Sequence, residues 1–112
     1  DGQKIVQAAR TQKGDAYRLG ATGPNVWDCS SLVRYSVQKA TGKKLPRSSA
    51  QQAQVGHRVP RSEAKPGDLL YTRGHIAVYA GNGKVVEAAT PKTGVVERSV
   101  WQSNPKVIRV TG

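Results

Sequence analysis

Residues 27–37 read WDCSSLVRYSV and contain the only cysteine of this 112-residue chain. From Cys29 onward, apolar or small side chains recur at positions 32, 33, 36, 37 and 40, the spacing of one helix face. Asp28 is a preferred N-cap residue, and Gly42 stands where helices commonly end. The stretch therefore predicts an amphipathic helix with Cys29 in its first turn, on the face that packs against the rest of the domain.

The segments around this helix predict two further short helices and a loop. Residues 4–12 (KIVQAARTQ) carry apolar side chains at helical spacing, whereas the glycine-rich residues 14–27 predict a loop. Residues 48–51, or alternatively 49–52, have capping-box spacing and predict a brief third helix. Residues 60–68 are polar and turn-rich.

Short β-rich runs occupy the C-terminal half of the chain and are separated by glycine, asparagine or proline. They cover residues 68–72, 75–80, 84–88, 95–100 and 106–110. Helices first and strands later predict an α+β domain in which helices pack on an antiparallel sheet. The length suits one modest core, so we expect residues 1–112 to form a single domain. A start without Met leads us to expect that it is excised from a longer protein.

The chain is strongly basic, with 18 lysine and arginine residues against seven acidic ones and a net charge of +11. Such a charge favours a polyanionic partner, and nucleic acid, an anionic membrane surface and an acidic bacterial wall all fit. The basic residues are scattered, without the long run typical of a nucleic-acid-binding arm. No apolar segment approaches the roughly 18 residues that cross a bilayer.

The lone cysteine has two interpretations. A free cysteine is often a small buried hydrophobe. At a helix N-terminus, however, the dipole and the unpaired N–H groups stabilise a thiolate, and a nearby histidine makes a nucleophile. Of the two histidines, His57 lies in a polar segment and is expected to be a solvated loop residue. His75 begins a predicted strand, from which its side chain can reach a neighbouring helix terminus.

Glu87 is the candidate that orients the His75 ring. The tripeptide GNG suits a three-residue hairpin loop, which would pair Ala80 with Lys84 and therefore Ala77 with Glu87. In that register the carboxylate lies diagonally from the imidazole on the same face. A two-residue loop would turn it to the opposite face, and an outward-facing strand carboxylate is the alternative interpretation.

Four motifs occur in order along the chain. They are DCSSL (28–32), LPRSS (45–49), KPGDL (65–69) and HIAVYAGNGK (75–84). Together they resemble the motifs of the NlpC family of papain-like bacterial cell-wall cysteine peptidases, over a region from about residue 17 to 96. The resemblance implies a cysteine-bearing helix packed on an antiparallel sheet. It also implies a peptidoglycan endopeptidase that cleaves the stem peptide, commonly between D-γ-glutamate and diaminopimelate or lysine.

The resemblance assigns a role to each candidate residue. Cys29 would be the nucleophile, His75 the base and Glu87 the orienting group. The thiolate would attack the amide carbon, and His75 would protonate the leaving amine and then activate water. Glutamate departs from the family pattern, which more often has histidine at the third position.

Four residues are implied to bind the substrate. Tyr17 would line the site and assist the backbone N–H of Cys29 in stabilising the oxyanion. Asp28 and Ser30 would help to recognise the free amino end of the stem peptide, and Arg47 would meet a substrate carboxylate. For Asp28 an N-cap role, and for Arg47 a surface position, stay open as alternatives. Ser31 replaces the family's usual glycine.

The resemblance also implies a setting. We expect no cofactor and no metal, a monomer without a membrane span, and peptidoglycan stem peptides and anionic wall polymers as partners. The protein would be secreted or wall-associated, and a phage-borne origin fits as well. The alternatives are a wall amidase or acyl transferase with the same site, a non-catalytic wall-binding or phage structural module, and, more distantly, a basic nucleic-acid binder.

Overall fold

The computed structural model describes residues 1–111 of the chain. Its helices are α1 (Gly2–Arg10), α2 (Cys29–Thr41) and α3 (Ser49–Gln52), and a 3₁₀ turn occupies Arg61–Glu63. Its strands are β1 (Ala16–Tyr17), β2 (Val26–Trp27), β3 (His57–Val59), β4 (Leu69–Thr72), β5 (His75–Gly81), β6 (Lys84–Thr90), β7 (Gly94–Ser99) and β8 (Lys106–Arg109). Strands β3 to β8 form one antiparallel sheet in the order β3-β8-β4-β5-β6-β7. The α+β architecture predicted from the sequence is confirmed.

Helix α2 begins and ends where its sequence predicts. The Asp28 side chain accepts a hydrogen bond from the Ser31 backbone N–H, and the Ser31 hydroxyl accepts one from the Asp28 N–H, both at 2.9 Å. This reciprocal capping satisfies donors that a helix start otherwise leaves unpaired. Gly42 closes the helix in the left-handed conformation, at φ +78°. Cys29 is therefore fixed as the first residue of a well-capped helix.

Helices α1 and α2 pack together on one face of the sheet and form the main core with it. Its fully buried members come from both helices and from the inward face of the strands. They include Ile5, Leu32, Val37, Leu69, Ile76, Val78 and Val86. A smaller cluster around Leu70, Ala77, Val85 and Val107 fills the opposite face. Because α2 packs against β5 and β6, its first turn comes close to the start of β5.

The five predicted strands are present, with ends that differ by one or two residues. Two segments that the sequence predicts to be loops contain strands instead. The segment 14–27 contains β1 and β2, a parallel pair of two residues each, and His57 lies in β3. Strands β1 and β2 are too short to show the alternation of apolar and polar residues that marks a strand. Strand β3 lies at the edge of the sheet, and its polar sequence follows from its exposure. Helix α1 starts and ends two residues before the predicted segment, because Asp1 caps it.

The β5–β6 hairpin differs locally from its prediction. Its loop has two residues, 82–83, and Lys84 pairs with Gly81 rather than with Ala80. The loop asparagine and glycine both have positive φ, +54° and +72°, as a two-residue hairpin turn of this kind requires. Ala80 is an extra residue in β5, a β-bulge that shifts the pairing by one position.

Beyond the bulge, the register is the predicted one. Val78 pairs with Val86, which puts Ala77 opposite Glu87. His75, two residues before Ala77, shares that face. The hairpin therefore brings the imidazole and the carboxylate to the same side of the sheet.

Candidate active site

The Cys29 thiol lies in the first turn of α2 and is partly buried. The first backbone N–H groups of a helix have no intrahelical acceptor, and with that of Ser31 bound to Asp28, those of Cys29 and Ser30 are the ones beside the thiol. The same N–H groups and the helix dipole stabilise negative charge at this point. The position suits a thiolate, and also a developing oxyanion beside it.

His75 connects the thiol to the sheet. Its Nε2 lies 2.7 Å from Oε1 of Glu87, which leaves Nδ1 as the nitrogen available to Cys29. Burial lowers the pKa of the ring, but hydrogen bonds with Cys29 and Glu87 outweigh that effect and raise the pKa to about 9. The ring is therefore cationic at neutral pH, the form that can donate a proton to a leaving amine.

Glu87 is fully buried and accepts three hydrogen bonds. Oε1 receives the His75 donor, while Oε2 receives Nε of Arg98 and Nε1 of Trp101, both at 2.6 Å. Burial raises the pKa of the carboxyl, but hydrogen bonds from His75, Trp101 and Arg98 outweigh this and lower it. The carboxylate is thus ionised and held in one orientation.

Sequence reasoning missed Arg98 and Trp101. Val96 pairs with Glu87, so Arg98, two residues later, lies on the same face of the sheet. The Trp101 ring lies 5.3 Å from the His75 ring, and Cζ of Arg98 lies 5.5 Å from the Trp101 ring. The only sequence signal was the alternation of β7, which points to Arg98 once the β6–β7 register is known.

Asp28 and Ser30, the neighbours of Cys29 in the sequence, form a hydrogen-bonded cluster with Arg47. The Arg47 guanidinium donates to both Asp28 oxygens, at 3.2 and 2.8 Å, and to the Ser30 hydroxyl at 2.7 Å. It also donates to the backbone oxygen of Ala21. Burial raises the pKa of Asp28, but the bonds from Arg47 and from two backbone N–H groups outweigh it and lower the pKa. This geometry favours an internal role for Arg47 over a direct contact with a substrate carboxylate.

Tyr17 lies in β1, close enough to Cys29 and Asp28 for their charges to shift the pKa of its hydroxyl. Burial raises the pKa of the phenol, and the negative charges of Cys29 and Asp28 raise it further. The hydroxyl is therefore a neutral donor beside the thiol. His57, in contrast, is exposed on β3, and the structure does not bring it to this site.

A large cleft lies elsewhere, along the outer side of α2. It has a volume of about 750 Å³ and is lined by residues that include Trp27, Ser31 and Tyr35. Neither Cys29 nor His75 lines it. We place the reactive centre by the thiol, imidazole and carboxylate, because reaction needs their mutual geometry rather than a large volume.

Known proteins are similar to this chain in sequence and in fold. The model of the NlpC/P60 family matches residues 14–110. A probable endopeptidase of Corynebacterium glutamicum is 41% identical over 102 residues, 88% of this chain and 48% of that protein. A gamma-DL-glutamyl hydrolase of Bacillus subtilis is 34% identical over 116 residues, 94% of this chain and 28% of that protein. The crystal structure of the NlpC/p60 domain of the peptidoglycan hydrolase SagA has a TM-score of 0.88 and 30% identity, and the match covers 97% of this chain and 98% of that one.

The chain spans about half of the Corynebacterium relative and less than a third of the Bacillus one. It has nearly the same extent as the SagA domain. The papain-like α+β fold implied by the sequence motifs is therefore confirmed. Since the family match covers most of its length, the chain belongs to the NlpC/P60 family.

Proposed function

We propose that this chain is a cysteine endopeptidase that hydrolyses the peptidoglycan stem peptide at the D-γ-glutamyl–diamino acid bond. The observation that carries the proposal is the line of groups from Cys29 through His75 to Glu87. The thiol starts a capped helix, the ring bonds a buried carboxylate at 2.7 Å, and the pKa of the ring is raised to about 9. A nucleophile, a base and an orienting group in this order make up a cysteine hydrolase site.

The reaction follows from these positions. The Cys29 thiolate attacks the amide carbon, and the backbone N–H of Cys29 with the Tyr17 hydroxyl stabilises the oxyanion. His75 gives its proton to the leaving amine as the C–N bond breaks, leaving a thioester on Cys29. The neutral His75 then takes a proton from water, which attacks the thioester and releases the acid and the thiolate.

The remaining site residues support the acyl side of the substrate. Ser30 and Tyr17 lie beside the thiol, where the stem peptide would lead to the cleaved bond. Asp28 and Arg47 form a partly buried ion pair, so we propose that they shape this wall and that Asp28 attracts the peptide's free amino end through the hydrogen-bonded Ser30 hydroxyl. The name of the Bacillus relative, a gamma-DL-glutamyl hydrolase, supports a γ-glutamyl bond as the target.

The setting of the enzyme is part of the same proposal. We infer that residues 1–112 are one catalytic domain within a longer protein, acting as a monomer at the bacterial wall as a secreted, wall-associated or phage-borne enzyme. No helix within residues 1–111 is long and apolar enough to cross a membrane. The net charge of +11 supports attraction to anionic wall polymers.

Mass spectrometry of purified muropeptides tests the activity. The wild-type protein is expected to produce fragments cut within the stem, and Cys29→Ala and His75→Ala to produce none. His57→Ala is the matched control, because the second histidine is exposed on β3. Cleavage by Cys29→Ala, or none by the wild type, would contradict the proposal.

The same spectra separate the alternatives. An amidase would release intact stem peptides from the sugar, and an acyl transferase would add the mass of the acceptor amine. A non-catalytic wall-binding module would bind sacculi and leave the muropeptides unchanged.

A further inference from the structure

We propose that Arg98, beside Trp101, forms the subsite for the leaving diamino acid and selects a residue whose side chain ends in a carboxylate. The enzyme would therefore prefer diaminopimelate to lysine. The inference rests on the proposed endopeptidase activity and adds the identity of the residue on the leaving side.

The position of the leaving group follows from His75. The ring must deliver its proton to the leaving amine, so the amine has to come within hydrogen-bond distance of that ring. Trp101 packs on the same ring at 5.3 Å, and 54% of its surface is exposed. The exposed indole is thus the surface beside the ring on which we place the residue that leaves.

Arg98 has donors to spare at this place. Its Nε is used by Glu87, but within residues 1–111 its two terminal nitrogens have no hydrogen-bond partner. Its side chain is 39% exposed. A planar guanidinium with free N–H groups is well suited to bind a carboxylate through two hydrogen bonds.

Arg98, Trp101 and His75 all bind the carboxylate of Glu87, so the three side chains lie close together. Arg98 and Trp101 donate to Oε2 of Glu87, and His75 contacts Oε1. The free guanidinium nitrogens therefore lie near the His75 ring, on its Nε2 side. A diamino acid whose amine is at Nδ1 would extend its side chain past the ring toward this guanidinium.

The free N–H groups of Arg98 favour an anion. Glu87 is the carboxylate that Arg98 contacts, through Nε alone, and His75 shares it. Glu97, the neighbour of Arg98 in the sequence, is bound by Arg10 and Lys13 instead of Arg98. The side chain of diaminopimelate ends in a carboxylate beside an ammonium, whereas that of lysine ends in the ammonium alone, so only diaminopimelate offers an acceptor to the free N–H groups of Arg98.

Three peptides test the inference, each with a D-γ-glutamyl bond to a different residue. The residues are diaminopimelate, diaminopimelate with its side-chain carboxylate amidated, and lysine. The amide has nearly the same shape as the acid but no charge, so the comparison isolates the carboxylate. The wild-type kcat/KM is expected to be about tenfold or more higher for the acid than for the other two.

Arg98→Gln distinguishes two roles of Arg98, binding of the substrate carboxylate and positioning of Glu87. Loss of the bond to Glu87 should slow cleavage of all three peptides alike, whereas loss of the subsite should bring their ratio close to one. Arg58→Gln, at an exposed position on β3, is the control and should keep the wild-type ratio. The wild-type comparison needs no variant, so it stands even if Arg98→Gln does not fold.

Two results would overturn the inference while leaving the endopeptidase intact. One is equal cleavage of the acid and the amide by the wild type, and the other is an unchanged ratio in a folded Arg98→Gln. No cleavage of any of the three peptides would instead remove the proposed activity, and this inference with it.

Discussion

His75 and Glu87 are joined through Nε2 and Oε1 at 2.7 Å, across a hairpin whose loop is one residue shorter than its register suggests. The extra residue at Ala80 makes up the difference. A hydrogen bond between a base and its orienting group thus depends on a bulge five residues from the histidine. The bond fixes which ring nitrogen faces the thiol, and so its chemistry can be tested by changing the carboxylate alone.

Glu87→Gln is expected to lower kcat by about 10² to 10⁴. The amide keeps only one acceptor oxygen, and the N–H donors of Arg98 and Trp101 both need it as their acceptor. The amide nitrogen would then face His75 and donate to Nε2, which places the ring proton on Nδ1 and prevents it from accepting the thiol proton. Kinetics on a muropeptide measure the effect. Glu97→Gln, a surface carboxylate on β7, should stay close to wild type, and an active Glu87→Gln would contradict the orienting role.

The pH profile should have an alkaline limb set by His75. Burial lowers the pKa of the ring, but bonds with Cys29 and Glu87 prevail and raise it to about 9. The leaving amine needs the protonated ring, so kcat/KM should fall as the pH rises through about 9. An alkaline limb near 6.5, the ordinary pKa of histidine, would show that Cys29 and Glu87 do not raise the pKa of the ring.

Stability should follow the same ionisation. Because the pKa is raised on folding, the contribution of protonated His75 is fully present below its ordinary value of 6.5 and is lost as the pH rises through about 9. Thermal unfolding across this range should show a fall in Tm for the wild type. The fall should be smaller in His75→Ala, and an equal fall in both proteins would assign it to other groups.

Arg47→Ala is expected to destabilise the fold by about 1–3 kcal/mol. It removes the cation that pairs with Asp28, whose side chain is only 8% exposed. The Arg47 side chain is itself 36% exposed, so solvent screens the pair and keeps the loss below that of a fully buried one. Urea unfolding gives the free energy of unfolding, with Arg58→Ala as the control expected within about 0.5 kcal/mol of wild type. Equal stability of both variants would show that the pair matters little.

The sequence predicted the helix of the thiol well because its signals are local. Asp28, the helical period and Gly42 all lie within one segment, and each has a physical meaning without reference to the rest of the chain. The hairpin shows a limit. A three-residue loop, and a two-residue loop with a bulge, give the same pairing of Ala77 with Glu87, so the register was right although the loop was not.

The missed residues depend on long-range pairing. Arg98 reaches Glu87 only through the β6–β7 register, and Trp101 only through the segment that follows β7. Neither contact produces a recognisable sequence pattern near Cys29 or His75. Arg47 was found by its motif, but its engagement with Asp28 depends on how the segment after α2 folds back, which no local pattern encodes.

Gly67→Ala should destabilise the protein more than Gly83→Ala. Both glycines have positive φ, +93° and +72°, which costs an alanine about 1–2 kcal/mol. A Cβ at Gly67 would in addition overlap the backbone of Gly2 at the start of α1, whereas Gly83 has open space around it. Thermal unfolding of the two variants gives the comparison. Equal losses would mean that α1 can shift away from the Gly67 turn without cost.

Binding to the wall should depend strongly on salt. The net charge of +11 attracts anionic polymers, and screening shortens the range of that attraction. Cys29→Ala is the suitable probe, since it keeps the charge and should leave the sacculus intact. Its affinity for sacculi should fall by about tenfold or more between about 0.05 M and about 0.5 M salt. Sacculi stripped of anionic polymers should bind weakly at both salt concentrations. Unchanged binding across the salt range would show that stem-peptide contacts, rather than charge, hold the protein on the wall.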